Sequence, residues 1–243
     1  MKLKSFKTYL VAILSMCFLF NFIPCYTAKG DTLDPGVNDK IIYLTFDDGP
    51  SVLTSEILDI LKKYEVKGTF FLIGNQIKGQ EKVVKRIHDE GHSIGLHTYT
   101  HNYQKIYSSQ DRFIAEMLTT QKIINELTGS NTNIIRFPFG SNRKLSENFL
   151  NNLHKHNFKV YDWNLFMSDG INCKTPPYKL YREATKSVDS EEPVILLMHC
   201  DYTHKNTCIA LPEVIKFYKD KGYEFRVIDE NTPEHYFPLK KQV

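Results

Sequence analysis

The sequence predicts an α/β fold: one domain with a mainly parallel sheet of about seven strands, closed or nearly closed into a barrel. Two observations carry this. Short β-prone apolar runs alternate with stretches of helical spacing along most of the chain, the pattern of strand–helix–strand units. The ionisable residues that stand out fall directly after those runs, where the loops of a parallel β/α architecture converge. A length of 243 residues suits one domain with a sizeable core and is short for two.

Taken in order, Lys2, Lys4 and Lys7 precede an apolar run from Tyr9 to Ile23, and polar residues follow from Thr27. That is the pattern of a secretory signal, and the run is shorter than the roughly 18 apolar residues of a secure membrane span. Residues 1–28 are therefore expected to be a signal peptide, with Ala28 at its end, or else an N-terminal membrane anchor. Tyr26 is bulky for a cleavage site, and neither Cys17 nor Cys25 has the small residue before it that lipoprotein processing needs. Residues 29–38 read as a linker, 39–235 as the folded domain and 236–243 as a tail.

Strands are expected at 41–46, 68–73, 92–96, 133–136, 157–162, 193–198 and 223–228. Between them, Ile57, Leu58, Ile60 and Leu61 form one helical stripe, and Val83, Val84 and Ile87 a second. A longer third runs through Phe113, Ile114, Met117, Leu118, Ile123, Ile124 and Leu127. Further helices are expected near 145–156, 177–188 and 209–221, the last stopped by Gly222. The net charge of +3 comes from scattered basic residues, so no nucleic-acid footprint is present. Beyond the leader remain Cys173, Cys200 and Cys208, an odd number: two may be bridged, in any pairing, or all three may be unpaired small apolar residues.

Asp47 and Asp48 end the first strand, His97 and His101 follow the third, Arg136 ends the fourth, Asp162 the fifth, and His199 the sixth. Each piece has a bland reading. Thr45–Pro50 contains turn formers, two histidines four apart occur on ordinary surfaces, Arg136 can precede a turn, and His199 can be a core residue. Together they read differently. Adjacent carboxylates at a buried strand end repel unless a cation or proton lies between them. A metal relieves one and leaves the other free as a base. Two histidines with a carboxylate from another strand form a ligand set with open positions. An Arg beside a carboxylate holds it ionised and oriented.

These motifs resemble those of the polysaccharide deacetylase family, which shares the NodB homology domain and is also called carbohydrate esterase family four. TFDDGP stands at 45–50, the His-x-x-x-His pattern at 97–101, Arg136-Phe-Pro-Phe-Gly140 matches the third motif, and Leu197-Met-His199 the fifth. The resemblance covers roughly residues 38–230. The fourth motif is looser: Tyr161-Asp-Trp-Asn resembles a variant of Gram-positive cell-wall members, and Asp169 matches the family's histidine-tethering acid. Three departures stand out. Gly170 replaces a frequent Trp, Cys200 replaces the usual Asp with Asp201 shifted by one, and Phe139 replaces a common Tyr.

The resemblance implies a NodB-like distorted (β/α) barrel and a hydrolase releasing acetate from an N-acetylated polysaccharide. Peptidoglycan N-acetylglucosamine or N-acetylmuramic acid is favoured as substrate. Chitin oligomers, O-acetyl xylan and a non-catalytic carbohydrate-binding role are the alternatives. It implies Asp48, His97 and His101 as ligands of Zn²⁺ or another divalent metal. Asp47, oriented by Arg136, becomes the base and His199, oriented by Asp169, the acid. The Phe139 N–H becomes an oxyanion donor, and Pro138, Trp163 and Leu197 contact substrate. The expected protein is a monomer, secreted or anchored on the outer face of the membrane.

Overall fold

The computed structural model describes residues 40–186 and 192–240, so the expected leader and linker lie outside the described residues. The first apolar run forms the long strand β1 (Ile41–Gly49), whose Ile42, Leu44 and Phe46 are fully buried. On one side of it follow β2 (Thr69–Leu72), β3 (Ser93–Leu96), β4 (Ile134–Ile135) and β5 (Lys159–Val160). On the other lie β7 (Val194–His199) and then β6 (Leu165–Phe166). A short β8 (Glu224–Arg226) pairs with the start of β1. All ladders are parallel.

No ladder joins β5 to β6 among the described residues, so the sheet is a distorted half-barrel with a seam. The C-terminal segment covers that seam. Tyr161 bridges His235, the Val160 N–H donates to Glu234 Oε1 at 2.7 Å, and the Asp162 N–H donates to the His235 carbonyl at 2.6 Å. An edge whose donors are already paired needs no charged or proline guard.

The helices follow the apolar stripes. Ser51 caps α1 (Val52–Lys63) in a reciprocal box with Thr54, and Ile57, Leu58 and Leu61 face the core. Next come α2 (Glu81–Asp89) and a single turn, α3 (Tyr103–Ile106), that the sequence reading did not contain. The long α4 (Gln110–Thr128) ends at left-handed Gly129, φ 73°. Leu118, expected in its buried stripe, instead points outward. Then come α5 (Glu147–Lys155), α6 (Pro177–Ala184) and α7 (Lys205–Asp220). The last starts four residues before the expected 209, because Pro212 lies inside the helix rather than near its first turn.

Gly95 in β3 lets two layers meet: a Cβ there would fall 2.4 Å from the Phe71 ring. Phe71 in turn carries the Arg136 guanidinium 4.1 Å above its face. Gly95→Ala is therefore expected to destabilise the domain by about 1–3 kcal/mol through overpacking. The check is the urea midpoint, and an unchanged midpoint would show that Phe71 relaxes freely.

Candidate active site

The carboxyl ends of β1, β3, β4 and β7 bring the sequence-derived candidates into one cleft. The β1 ladder pairs Asp47 with His199 on β7 and with Phe71 on β2, then shifts register before Gly49. Asp48 occupies the left-handed region at φ 66°, which aspartate tolerates better than most residues. Its Oδ1 lies 3.4 Å from His97 Nε2 and 3.3 Å from His101 Nε2.

The two histidines converge from a loop, not from a helix. Thr98 and His101 are both left-handed, at φ 66° and 52°. Such a loop needs outside support, and α4 supplies it. The buried Glu116 carboxylate accepts the N–H groups of Tyr99 and Thr100, at 3.2 and 2.8 Å, and the Thr100 hydroxyl. Thr120 donates to the Thr98 carbonyl at 2.9 Å.

These three residues suit a cation. His97 Nδ1 is 2.9 Å from the Arg136 carbonyl, which can only accept. Nδ1 therefore holds the proton and Nε2 turns its lone pair to Asp48. Burial, followed by the neighbouring His101, pushes the His97 imidazole down to about 3, so it is neutral. Asp48 Oδ1 is buried and receives no hydrogen bond. An anionic oxygen facing a nitrogen lone pair in a dry site is stable only with a cation between them. One donor atom from each of Asp48, His97 and His101 lies within 4.8 Å of the others, and two imidazoles with a carboxylate fit Zn²⁺ or a similar divalent ion. His101→Ala should weaken zinc binding by about two orders of magnitude or more. Competition with a chromogenic chelator measures this, and unchanged affinity would remove His101 from the ligand set.

Next to the triad, Arg136 is 0% exposed and fully engaged. It donates to Asp47 Oδ1 at 2.9 Å, to Thr45 Oγ1 at 2.8 Å, and to the carbonyls of Tyr161 and Asp162 at 2.8 and 3.0 Å. Burial raises the Asp47 carboxyl, and the Arg136 charge opposes part of that rise. At β7, His199 Nδ1 is 3.0 Å from Asp169 Oδ1, while Asp169 Oδ2 accepts the His199 N–H and the Thr207 hydroxyl. Burial favours neutral His199, but the Asp169 hydrogen bond and charge, with Asp47 and Asp48 behind, outweigh it and raise the imidazole to about 9.

The cleft above these groups measures about 360 Å³, and Phe139, Trp163, Phe166, Met167, Ile171 and Leu197 wall it. Arg136 and Asp169 support it without lining it. Pro138 is buried outside it, its carbonyl taken by the Tyr107 hydroxyl at 2.7 Å. Phe139 is 62% exposed at φ 61°, and its N–H donates to no acceptor among the described residues. Phe166 and Ile171 were not foreseen as walls. They stand beside Gly170, where a Cβ would lie 2.2 Å from the His199 ring. A side chain at 170 is thus incompatible with this histidine position, and the wall is built from its neighbours. Asp162, read only as a strand end, accepts the N–H groups of Ser141 and Phe237 at 3.0 and 2.9 Å. All three described cysteines are free thiols.

Comparison with known proteins agrees with this geometry. Residues 34–161 match the family model for polysaccharide deacetylase. The chain is 36% identical over 207 residues to a peptidoglycan-N-acetylglucosamine deacetylase of Bacillus cereus, covering 84% of this chain and 74% of that protein. The crystal structure of a polysaccharide deacetylase from Bacillus cereus superposes with a TM-score of 0.74 at 35% identity, over 82% of this chain and 96% of that one. The catalytic domain of a peptidoglycan N-acetylglucosamine deacetylase from Eubacterium rectale superposes with a TM-score of 0.76 at 28% identity, over 88% of this chain and 99% of that one. With the motifs, the half-barrel and the candidate metal-binding triad in agreement, the chain belongs to the polysaccharide deacetylase family and is a metal-dependent enzyme of that family.

Proposed function

We propose that the protein removes N-acetyl groups from the N-acetylglucosamine of peptidoglycan outside the cytoplasm. The observation that carries the reading is the pair of oriented proton-transfer groups beside one metal triad: Asp47 fastened by Arg136 at 2.9 Å and His199 fastened by Asp169 at 3.0 Å. A divalent ion held by Asp48, His97 and His101 supplies Lewis acidity toward the acetamide. Asp47 takes the proton of the attacking water. The free Phe139 N–H donates to the oxygen on which negative charge develops. His199 gives its proton to the departing amine, while Trp163 and Leu197 shape the slot for the acetyl methyl. Because His199 must arrive protonated, turnover should fall as the pH rises through about 9.

The substrate assignment is supported by the relatives named for peptidoglycan N-acetylglucosamine. The location is supported by the basic residues and apolar run of 1–28, which act as a cleaved signal or an anchor. No helix among the described residues is long and apolar enough to cross a membrane. We take the enzyme to act as a monomer. The test is acetate release by the zinc-loaded protein from peptidoglycan, chitin oligomers and acetylated xylan in parallel. Release from peptidoglycan is expected. Release from one of the others alone reassigns the substrate, and release from none returns the chain to a binding role.

A further inference from the structure

Large apolar side chains are exposed mainly on one face. Among the described residues only Leu118 and Ile209 stand in the middle of helices; the others lie in or beside the loops at the carboxyl ends of the strands. Two of these touch each other. Phe139 walls the cleft and Tyr103 lies outside it, and they are 62% and 54% exposed. Their ring centroids are 5.7 Å apart with planes inclined by 63°, an edge-to-face pair.

Both rings are braced. Tyr103 packs on Tyr107 at 5.0 Å between centroids, and Tyr107 is fixed by its hydroxyl on the Pro138 carbonyl and by stacking on Phe113 and Phe137. Lys144 donates to the carbonyls of Phe139 and Gly140 at 3.2 and 2.8 Å. The Phe139 ring rests 5.0 Å from that of His101. The N–H role given to Phe139 accounts for its backbone at φ 61° but not for its side chain, because any residue except proline supplies an N–H. It leaves Tyr103 without an account as well. Two braced aromatic rings kept in water beside a cleft are the mark of a ligand contact.

The cleft fixes what that ligand is. At about 360 Å³ it lies at the small end of ligand sites and leaves room for one acetylated sugar, so a polymer passes out over its rim. Phe139 makes the cleft wall and the aromatic pair continuous. We propose that Tyr103 and Phe139 form a stacking shelf for the sugar that adjoins, along the glycan, the one whose acetamide enters the cleft. The proposal rests on the deacetylase reading for the sugar in the cleft. A pyranose chair carries its hydroxyls around its girdle and presents C–H groups on its faces. Those C–H groups complement the negative face of an aromatic ring. The exposed carboxamides of Asn102 and Gln104, on either side of Tyr103, give the shelf a polar rim for the hydroxyls.

The experiment follows the fluorescence of Trp163, the single tryptophan of the chain and a wall of the cleft. The protein is the zinc-loaded Asp47→Asn variant, and the probes are N-acetylglucosamine and the chitin dimer and tetramer. The oligomers should bind about five- to tenfold more tightly than the single sugar. Adding Tyr103→Ala should abolish that gain, and adding Tyr103→Phe should retain it because the ring is kept. A gain that survives Tyr103→Ala, or no gain in the parent protein, overturns the proposal. So does an equal loss for the single sugar, which would show that Tyr103 only steadies the loop carrying His101. If Tyr103→Ala folds poorly, NMR of the parent decides: the tetramer should shift the Tyr103 ring signals and the single sugar should not, and unshifted signals overturn the shelf. Acetate release from peptidoglycan by the wild type is scored separately. Its absence retires the deacetylase reading, while a ring-dependent gain in oligomer binding would still stand as a sugar site.

Discussion

Asp47→Asn should lower the rate of acetate release by about a thousandfold while zinc stays bound at wild-type stoichiometry. The amide keeps the shape of the carboxylate and can still accept from Arg136 through its oxygen, but it cannot take a proton from water. Zinc should stay because the proposed ligands are Asp48, His97 and His101, the group whose donor atoms converge, with Asp47 Oδ2 3.7 Å from His97 Nε2 and held toward Arg136 on its other oxygen. Steady-state rates with metal analysis on the same sample make the check. Near-wild-type turnover would end the base assignment, and lost zinc with lost turnover would make Asp47 a ligand instead.

The largest expected loss of stability comes from Arg136→Met. The guanidinium is wholly buried and donates to Asp47, Thr45 and two backbone carbonyls. Removing one member of a buried ion pair leaves the other charge uncompensated, at a cost of about 3–5 kcal/mol. Burial then acts on Asp47 without the opposing charge, so its carboxyl rises further and holds a proton when a base is needed. Stability and turnover should both fall. The decisive comparison is the double variant Asp47→Leu with Arg136→Met. If the pair is retained for chemistry, urea denaturation should show much of the stability recovered while acetate release stays absent. A double variant as unstable as the single would mean that the carbonyls of Tyr161 and Asp162, not Asp47, are what Arg136 satisfies.

The candidate metal ligands were legible because each is an ionisable side chain placed directly after an apolar strand, so topology alone brings Asp48, His97 and His101 together. Their supports were less legible. Glu116 reads as an ordinary helix carboxylate, and the one signal is its place on the buried stripe of α4 between Phe113 and Thr120. Phe166 lies on a strand of two residues, too short for any periodicity. Ile171 matters because Gly170 leaves room for the His199 ring, a contact between distant segments that no local pattern encodes. Strands β4 and β5 were placed correctly but drawn too long, because the apolar residues beside them pack without extending the ladder.

The covering of the seam by the C-terminal segment also orders events in time. A polypeptide is made from its first residue to its last. The edge of β5 and the Asp162 carboxylate gain His235 and Phe237 as partners only once residues 235–237 have emerged. Until then the strand edge beside Arg136 stays open to pairing with another chain. A folding helper that shields nascent edges is most useful to this protein in that interval.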